Sequence, residues 1–212
     1  MVLKVFAKKG FDVSGLIMAD LSLNGRQSYA TKGQYSKLDN RGNLILKNIK
    51  ATTEYFPKSF FIKEGNFQFE NEKMWFRKFF ATYGKSDFAL NGYLLNTINY
   101  FIERKGTLHG KFVLNSNYTL IDEFMALKNG DNDEKSIQVE YAKVENPKSS
   151  GVVIVPKNLD VSLEVNAKKV EFKGLELNHL KGLASVNSGQ VFLKNTNFDV
   201  VGSRMKIDAR YQ

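Results

Sequence analysis

Residues 159–168 read Leu-Asp-Val-Ser-Leu-Glu-Val-Asn-Ala-Lys, a strict alternation of apolar and polar side chains. Successive side chains of a β-strand point to opposite faces of the sheet, so this pattern predicts a strand with one buried face. The same alternation returns over 170–177, 191–200 and 205–211, with glycines between the runs as turn signals. The C-terminal third is therefore predicted to be a meander of antiparallel strands.

The N-terminal part has the same period with less regular phase. Asn-Gly follows an alternating run at 24–25 and again at 91–92, and this dipeptide suits the type I′ turn of a hairpin. Gly-Asn at 42–43 and 65–66 predicts further turns, and another alternating run ends at Asn-Ser 115–116. We interpret these recurring alternating runs and turn signals as a loosely repeated hairpin unit.

Three segments are less clearly extended. Apolar residues over 94–102 have the spacing of a helix, and a capping-box pattern at 119–122 with apolar residues at 121–125 predicts a second short helix. The aromatic segment 75–83 fits either a helix or a strand, and the glycine and the strands that flank it favour a strand.

Composition changes between residues 128 and 151. Charged, Asn, Ser and Gly residues dominate there, so we expect a polar insertion at 129–150. This composition is compatible with disorder, and residues 137–144 could add a short edge strand. Otherwise residues 1–212 are expected to form a single elongated domain. The chain has no apolar stretch that would serve as a signal peptide or membrane segment, so we expect either a cytoplasmic protein or a piece of a longer protein whose targeting signal lies outside this sequence.

The residues offer little catalytic or metal-binding chemistry. The chain has no Cys, which excludes disulfides, thiolate zinc sites and cysteine nucleophiles. His109 and His179 lie apart from other metal-ligand residues, and the acidic stretch 131–134 lacks the Gly and Glu positions of an EF-hand. Phosphate-binding and nucleophile-elbow motifs are absent. We therefore expect neither an enzyme nor a cofactor.

Positive charge with aromatic residues raises nucleic acid as an alternative partner. The net charge is +9, and residues 73–79 contain Lys73, Trp75, Arg77, Lys78 and Phe79, which could stack bases and hold phosphates. However, lysines recur at the outward positions of most strands, as on a solvated sheet face. We interpret the charge in that way and expect no nucleic-acid partner.

Several segments in order resemble one family. They are Phe-Phe-Ile-Lys-Glu-Gly-Asn-Phe-Gln-Phe at 60–69, the aromatic segment 74–80, Gly-Lys-Ser-Asp at 84–87 with the strand up to 96, residues 98–101, 108–116 and 120–124, and Val-Pro-Lys-Asn-Leu-Asp at 155–160. Over residues 59–212 the chain resembles the C-terminal region of AsmA-like proteins, which are related to TamB and chorein-type bridge proteins. It lacks that family's membrane segment and is much shorter, so the resemblance favours a fragment of a longer protein.

The resemblance implies a mainly β fold: a long, twisted, mostly antiparallel sheet curled into a groove, with one or two short helices. It also implies phospholipid or another acyl-chain lipid as partner, a role in lipid transport between membranes, and the periplasm of a diderm bacterium. The inner membrane would be reached through a segment outside this chain.

Alternating apolar residues would line the groove, although the same residues also fit an ordinary core closed by a second layer. The alternative function is a structural or interaction domain that assists outer-membrane protein assembly. The candidate lining residues are Phe67, Phe69, Phe88, Leu90, Phe112, Leu114, Leu163, Val165, Phe172, Val191, Leu193, Phe198, Val200 and Ile207.

Overall fold

A computed structural model describes residues 11–53, 56–103, 105–125 and 157–211. The predicted insertion at 129–150, its edge strand at 137–144 and the acidic stretch 131–134 lie outside the described residues.

In the described ranges, ten strands form one sheet in which spatial order follows sequence order. The strands are β1 (Phe11–Asn24), β2 (Asp39–Thr53), β3 (Phe56–Glu70), β4 (Lys73–Tyr83), β5 (Ser86–Leu95), β6 (Leu108–Leu120), β7 (Leu159–Phe172), β8 (Leu175–Asn187), β9 (Gln190–Val200) and β10 (Ser203–Tyr211). The helices are α1 (Gln27–Thr31), α2 (Thr97–Phe101) and α3 (Asp122–Met125), with a 3₁₀ turn at Tyr35–Lys37.

All neighbouring strands pair antiparallel except β6 and β7, which run parallel from Leu108 opposite Leu159. Among the described residues β1 and β10 each pair on one side only, so the sheet is not closed into a barrel. With 75% of the described residues in strands, the predicted mainly β, mostly antiparallel fold is confirmed, and the open mixed sheet is consistent with a curled form.

Irregularities cross the sheet from edge to edge. Pairing shifts by one residue between Ser14 and Leu16 in β1 and between Ile207 and Ala209 in β10. Between these edges Asn48, His179 and Asn195 adopt positive φ inside their strands, at 52°, 54° and 50°. Bulges of this kind bend a strand and increase its local twist, which favours curling.

The short-helix predictions are confirmed with shifted bounds, and the strand assignment of 75–83 is confirmed by β4. Helix α2 begins at Thr97 because Leu94 and Leu95 still pair in β5. The sequence patterns missed α1, which follows β1 directly where the Asn-Gly pair at 24–25 had predicted a hairpin turn.

The other predicted turns are wrong. The pairs at 42–43, 65–66 and 91–92 all lie inside strands, and the alternating run expected to end at 115–116 continues in β6 to Leu120. At Gly92, φ is +153° and a Cβ would lie 2.2 Å from the Lys111 carbonyl oxygen and 2.7 Å from the Phe112 ring. Glycine is needed there for close approach of a neighbouring strand, not for a turn.

Candidate functional site

One face of the sheet carries no charged side chain along its described, paired rows. Residues directly opposite each other in a ladder point to the same face, so a row can be followed from strand to strand. The central row contains Ala19, Leu44, Phe67, Phe76, Gly92, Phe112, Leu163, Ala184, Leu193 and Ala209 from β1 to β10. We call the face that contains this row the apolar face and the opposite one the polar face.

The structure places every candidate lining residue on the apolar face. Phe172 is the least obvious case because the alternation changes phase near Lys168. Beyond that point Lys169 pairs with Asn178, and Asn178 pairs with Asp199 on the polar face. Val170 and Phe172 therefore return to the apolar face. The full set is Phe67, Phe69, Phe88, Leu90, Phe112, Leu114, Leu163, Val165, Phe172, Val191, Leu193, Phe198, Val200 and Ile207.

Sequence reasoning missed two central residues of this face. Phe76 and Phe79 both lie on it, opposite Gly92 and Leu90, because the pairing shifts between them. An odd spacing within one strand breaks strict alternation, so the pattern looked helical. The available signal was the pair of aromatic doublets at 75–76 and 79–80, each of which has one ring on each face.

Phenylalanine rings pack edge to face at the centre of the apolar face. The ring centroids of Phe76 lie 4.7 Å from Phe67 and 5.0 Å from Phe112, and Phe67 lies 6.0 Å from Phe79. Edge-to-face contacts at these separations are favourable beyond simple area burial. Phe67 and Phe112 are buried because their rings also lie over Gly65 and Gly92 of the adjacent backbone.

Toward both edges the apolar face becomes exposed. Leu21 in β1 is 59% exposed and Met205 in β10 is 44% exposed. Within the described residues, the strands make extensive contacts only with their ladder neighbours, so no second sheet covers this face. An uncovered apolar surface of this extent is uncommon on soluble proteins and usually marks a binding surface.

Helix α2 covers one end of the apolar face. Tyr100 packs against the buried cluster of Leu94, Leu108 and Phe112. The start of the helix is fixed by Asn96, whose side-chain amide donates to the Thr107 carbonyl at 2.8 Å, and by Thr97, whose hydroxyl donates to the Glu72 carbonyl at 3.3 Å. The helix therefore closes this end.

Helix α3 covers the opposite end of the apolar face. The Phe124 ring lies 5.1 Å from Tyr83 and 5.8 Å from Phe88, both of which belong to the apolar face. The two helices therefore lie over different ends of the same strands, and the edge-strand positions between them stay exposed.

A buried carboxylate anchors α3. The side chain of Glu123 is 3% exposed and forms an ion pair with Lys58. Its oxygens accept hydrogen bonds from the Lys85 backbone N–H at 3.1 Å and from the Ser86 hydroxyl at 3.2 Å. Burial alone would raise the pKa of Glu123, but Lys58, Lys85 and Ser86 outweigh it and lower this pKa. The Gly-Lys-Ser-Asp segment is thus a binding turn for the α3 carboxylate.

The polar face carries mixed charge, and the proposed base-stacking residues do not form one surface. Lys73 lies 3.6 Å above the Trp75 ring, with Arg77 4.6 Å from it. Phe79 lies on the opposite face, and Lys78 forms an ion pair with Glu64 at 2.8 Å. Only part of the predicted cation–aromatic set is therefore together.

Both histidines are exposed and pair with single carboxylates. His109 Nδ1 lies 3.1 Å from Asp160 Oδ2, and His179 Nδ1 lies 2.9 Å from Asp199 Oδ2. Across the described ranges, no group of three or more acidic or histidine residues is arranged to hold a metal ion. None of the helices in the described ranges has the length and hydrophobicity that spanning a membrane requires.

Comparison of the chain with models of known protein families, with curated proteins and with solved structures gives no match.

Proposed function

We propose that this chain is a non-enzymatic module of a bacterial envelope protein whose apolar face binds the acyl chains of phospholipid during transport between inner and outer membranes. The observation that carries the proposal is the absence of charge across the described, paired rows of that face, from β1 to β10. The two membranes and the periplasmic location in this proposal come from the resemblance to AsmA-like proteins.

The dimensions of the apolar face suit acyl chains. A strand of 11 residues such as β4 extends roughly 36 Å at about 3.3 Å per residue. One leaflet of a bilayer has about 15 Å of hydrocarbon, half the thickness of the core. Each methylene transferred from water to this surface contributes roughly 0.8 kcal/mol, so the surface needs no reacting groups to retain a lipid.

The exposed margins and packed centre suggest where lipid is bound. The central phenylalanines already bury one another, and binding there adds little new apolar burial. Residues such as Ile17, Leu21 and Met205 have most to gain from contact with an acyl chain, since they are 43%, 59% and 44% exposed. We therefore propose that acyl chains lie along the margins as well as over the centre.

A structural or interaction domain that assists outer-membrane protein assembly is the second candidate. It is favoured by the two open edges, because β1 and β10 each have a free side in the described sheet. All described side chains in β10 are exposed. An unpaired edge strand can accept a strand from another protein through backbone hydrogen bonds.

A lipid-transfer assay with matched variants tests the first proposal. Ile17 and Leu21 lie on the apolar face of β1, whereas Leu16 and Met18 lie on its polar face and are similarly exposed. We expect purified protein to take up fluorescent phospholipid from liposomes, and Ile17→Lys with Leu21→Lys to lower this uptake severalfold. The control pair, Leu16→Lys with Met18→Lys, adds the same charge to the same strand and should leave uptake unchanged.

Two results would contradict the proposal. One is an absence of phospholipid uptake together with an absence of co-purifying lipid by mass spectrometry. The other is an equal loss of uptake in both variant pairs, since that would show a general effect of added charge at the edge strand.

A further inference from the structure

A cleft lies on the polar face, on the side of the sheet away from the proposed lipid surface. Its volume is about 280 Å³. One row of directly opposite residues crosses it, and the pairing of β4 through β8 fixes their order. The row contains Phe80, Ala89, Asn115, Asn166 and Lys181.

Strand irregularities produce this cleft. The side chain of Asp87 holds a kink in β6 by accepting hydrogen bonds from the backbone N–H groups of Asn117 at 3.0 Å and Tyr118 at 2.7 Å. On the other side, His179 adopts positive φ where the pairing of β8 with β9 shifts between Asn178 and Lys181. The small Ala89 side chain leaves space between these two distortions.

The acidic group in the cleft is already occupied. Besides the two backbone donors, Asp87 accepts a hydrogen bond from the Asn117 side-chain amide at 2.9 Å. Burial raises the pKa of Asp87, but these donors outweigh it and lower this pKa, so the group stays ionised and bound to its own donors. Hydrogen bonds from protein N–H groups therefore partly compensate the negative charge of Asp87, which reduces its repulsion of an anionic ligand.

The two lysines of the cleft are not neutralised in the same way, whereas His179, which also lines it, pairs with Asp199. Lys168 and Lys181 both line it and are exposed, and neither forms an ion pair with another residue in the described ranges. The amides of Asn115 and Asn166 add hydrogen-bond donors, and Phe80, 41% exposed, forms an apolar wall.

We propose that this cleft is a binding site for a phosphate group carried by a small polar ligand, with Lys168 and Lys181 neutralising its charge and the two Asn amides donating to its oxygens. Lysine binds phosphate as a compact charge, and several donors around one cavity suit an ion with several acceptor oxygens. The cavity is slightly smaller than a typical small-molecule pocket, which suits a phosphate with a short substituent.

The site is independent of the proposed lipid surface because it lies on the opposite face. A lipid lying along the apolar face would have to pass around a sheet edge to place its headgroup here. Loss of phosphate binding and loss of lipid uptake are therefore separate outcomes, and each can occur without the other.

The test is titration of the full chain with inorganic phosphate at about 0.15 M salt, where exposed charges more than about 8 Å apart are screened. Amide chemical shifts in an NMR titration report where the ion binds. We expect saturable shifts in the cleft, and binding weakened about tenfold or more by Lys168→Gln with Lys181→Gln. The control is Lys194→Gln with Lys206→Gln, exposed lysines outside this cleft that change the net charge equally, from +9 to +7 by the loss of two charges. It should bind as the original chain does.

A third variant, Asn166→Leu, removes a donor without changing charge and should also weaken phosphate binding. Vesicles containing phosphatidylglycerol form a second arm that separates a lipid headgroup from free phosphate as the source. Selective loss of vesicle binding in the cleft variant would identify the headgroup, and unchanged vesicle binding with lost phosphate binding would identify a soluble ligand. Absence of saturation by phosphate, or equal weakening in both lysine pairs, would overturn the proposal.

Discussion

The two faces of this sheet are made by the same strands, but the same type of side chain is packed on one face and exposed on the other. Phe79 and Phe80 are adjacent in β4, yet Phe79 packs among other phenylalanine rings and Phe80 is 41% exposed on the polar face. A ring on the apolar face can be buried without a second sheet. Phe67, 6% exposed, contacts the rings of Phe76 and Phe79 and lies over Gly65.

The apolar face itself changes from centre to edge. Its central rings are held by their neighbours, while its outermost residues in β1 and β10 lack a neighbouring strand on one side. This gradient divides the face into a packed centre that stabilises the fold and exposed margins where the proposed lipid would bind. Substitutions at the centre should therefore change stability first, and substitutions at the margins should change binding first.

Removing one phenylalanine from each face should give the largest difference in stability between them. Phe112 is 8% exposed and lies over Gly92, so Phe112→Ala should lower the free energy of unfolding by about 3 kcal/mol, near the lower end for buried Phe. Phe80→Ala removes the same ring from the polar face and should cost less than about 1 kcal/mol. Urea unfolding followed by circular dichroism measures both, and equal losses would contradict the division of faces.

Much of the fold could be predicted from the alternation of side chains. The run at 159–168 identifies β7 and its apolar face without any tertiary information. The same reasoning placed all the candidate lining residues on one face, because alternation survives wherever strands are regular. It failed at Phe76 and Phe79, where a shift in pairing hides the period.

Glycine positions could not be interpreted from local sequence. Gly92 and a turn glycine carry the same signal, and only the approach of Lys111 and Phe112 from the neighbouring strand distinguishes them. The parallel pairing of β6 and β7 could not be predicted either, because it depends on contacts between residues that are far apart in the chain. Openness of the apolar face is also a tertiary property, so the sequence left groove and closed core undecided.

A second, smaller effect is expected at the two kinds of carboxylate. Glu123→Gln removes the charge from a buried group with several donors and should cost about 1.5–3 kcal/mol, the range for hydrogen bonds to charged groups. Glu176 pairs with Lys169 on the exposed polar face, so Glu176→Gln should lower stability much less. Thermal unfolding of the two variants compares these losses directly.

The pH dependence of the free energy of unfolding gives an independent measure of the contribution of Glu123 to stability. Its pKa in the folded chain lies below the ordinary 4.5, so its contribution is complete above that pH and is lost as pH falls through the folded value. The pKa of Glu103, bound by Lys105 and Ser36, is lowered to about 2 and adds to the same acid sensitivity. Glu123→Gln should therefore reduce the fall in stability below pH 4.5 without abolishing it. A slope identical to that of the original chain would contradict the assigned role of Glu123.

The smallest expected effect concerns the cation–aromatic group of the polar face, which tests whether this face also packs against itself. Lys73 lies 3.6 Å above Trp75 and 4.1 Å above Tyr93, a geometry worth about 0.5–1 kcal/mol at an exposed site. Lys73→Ala should cost that amount, whereas Lys47→Ala, at an exposed polar-face position of β2, should have no measurable effect. Because Trp75 is the chain's single tryptophan, its emission should move to longer wavelength only in Lys73→Ala. If emission and stability stay unchanged in both variants, the polar face is a solvated surface without packing of its own, and the contrast between the faces is sharper than these contacts indicate.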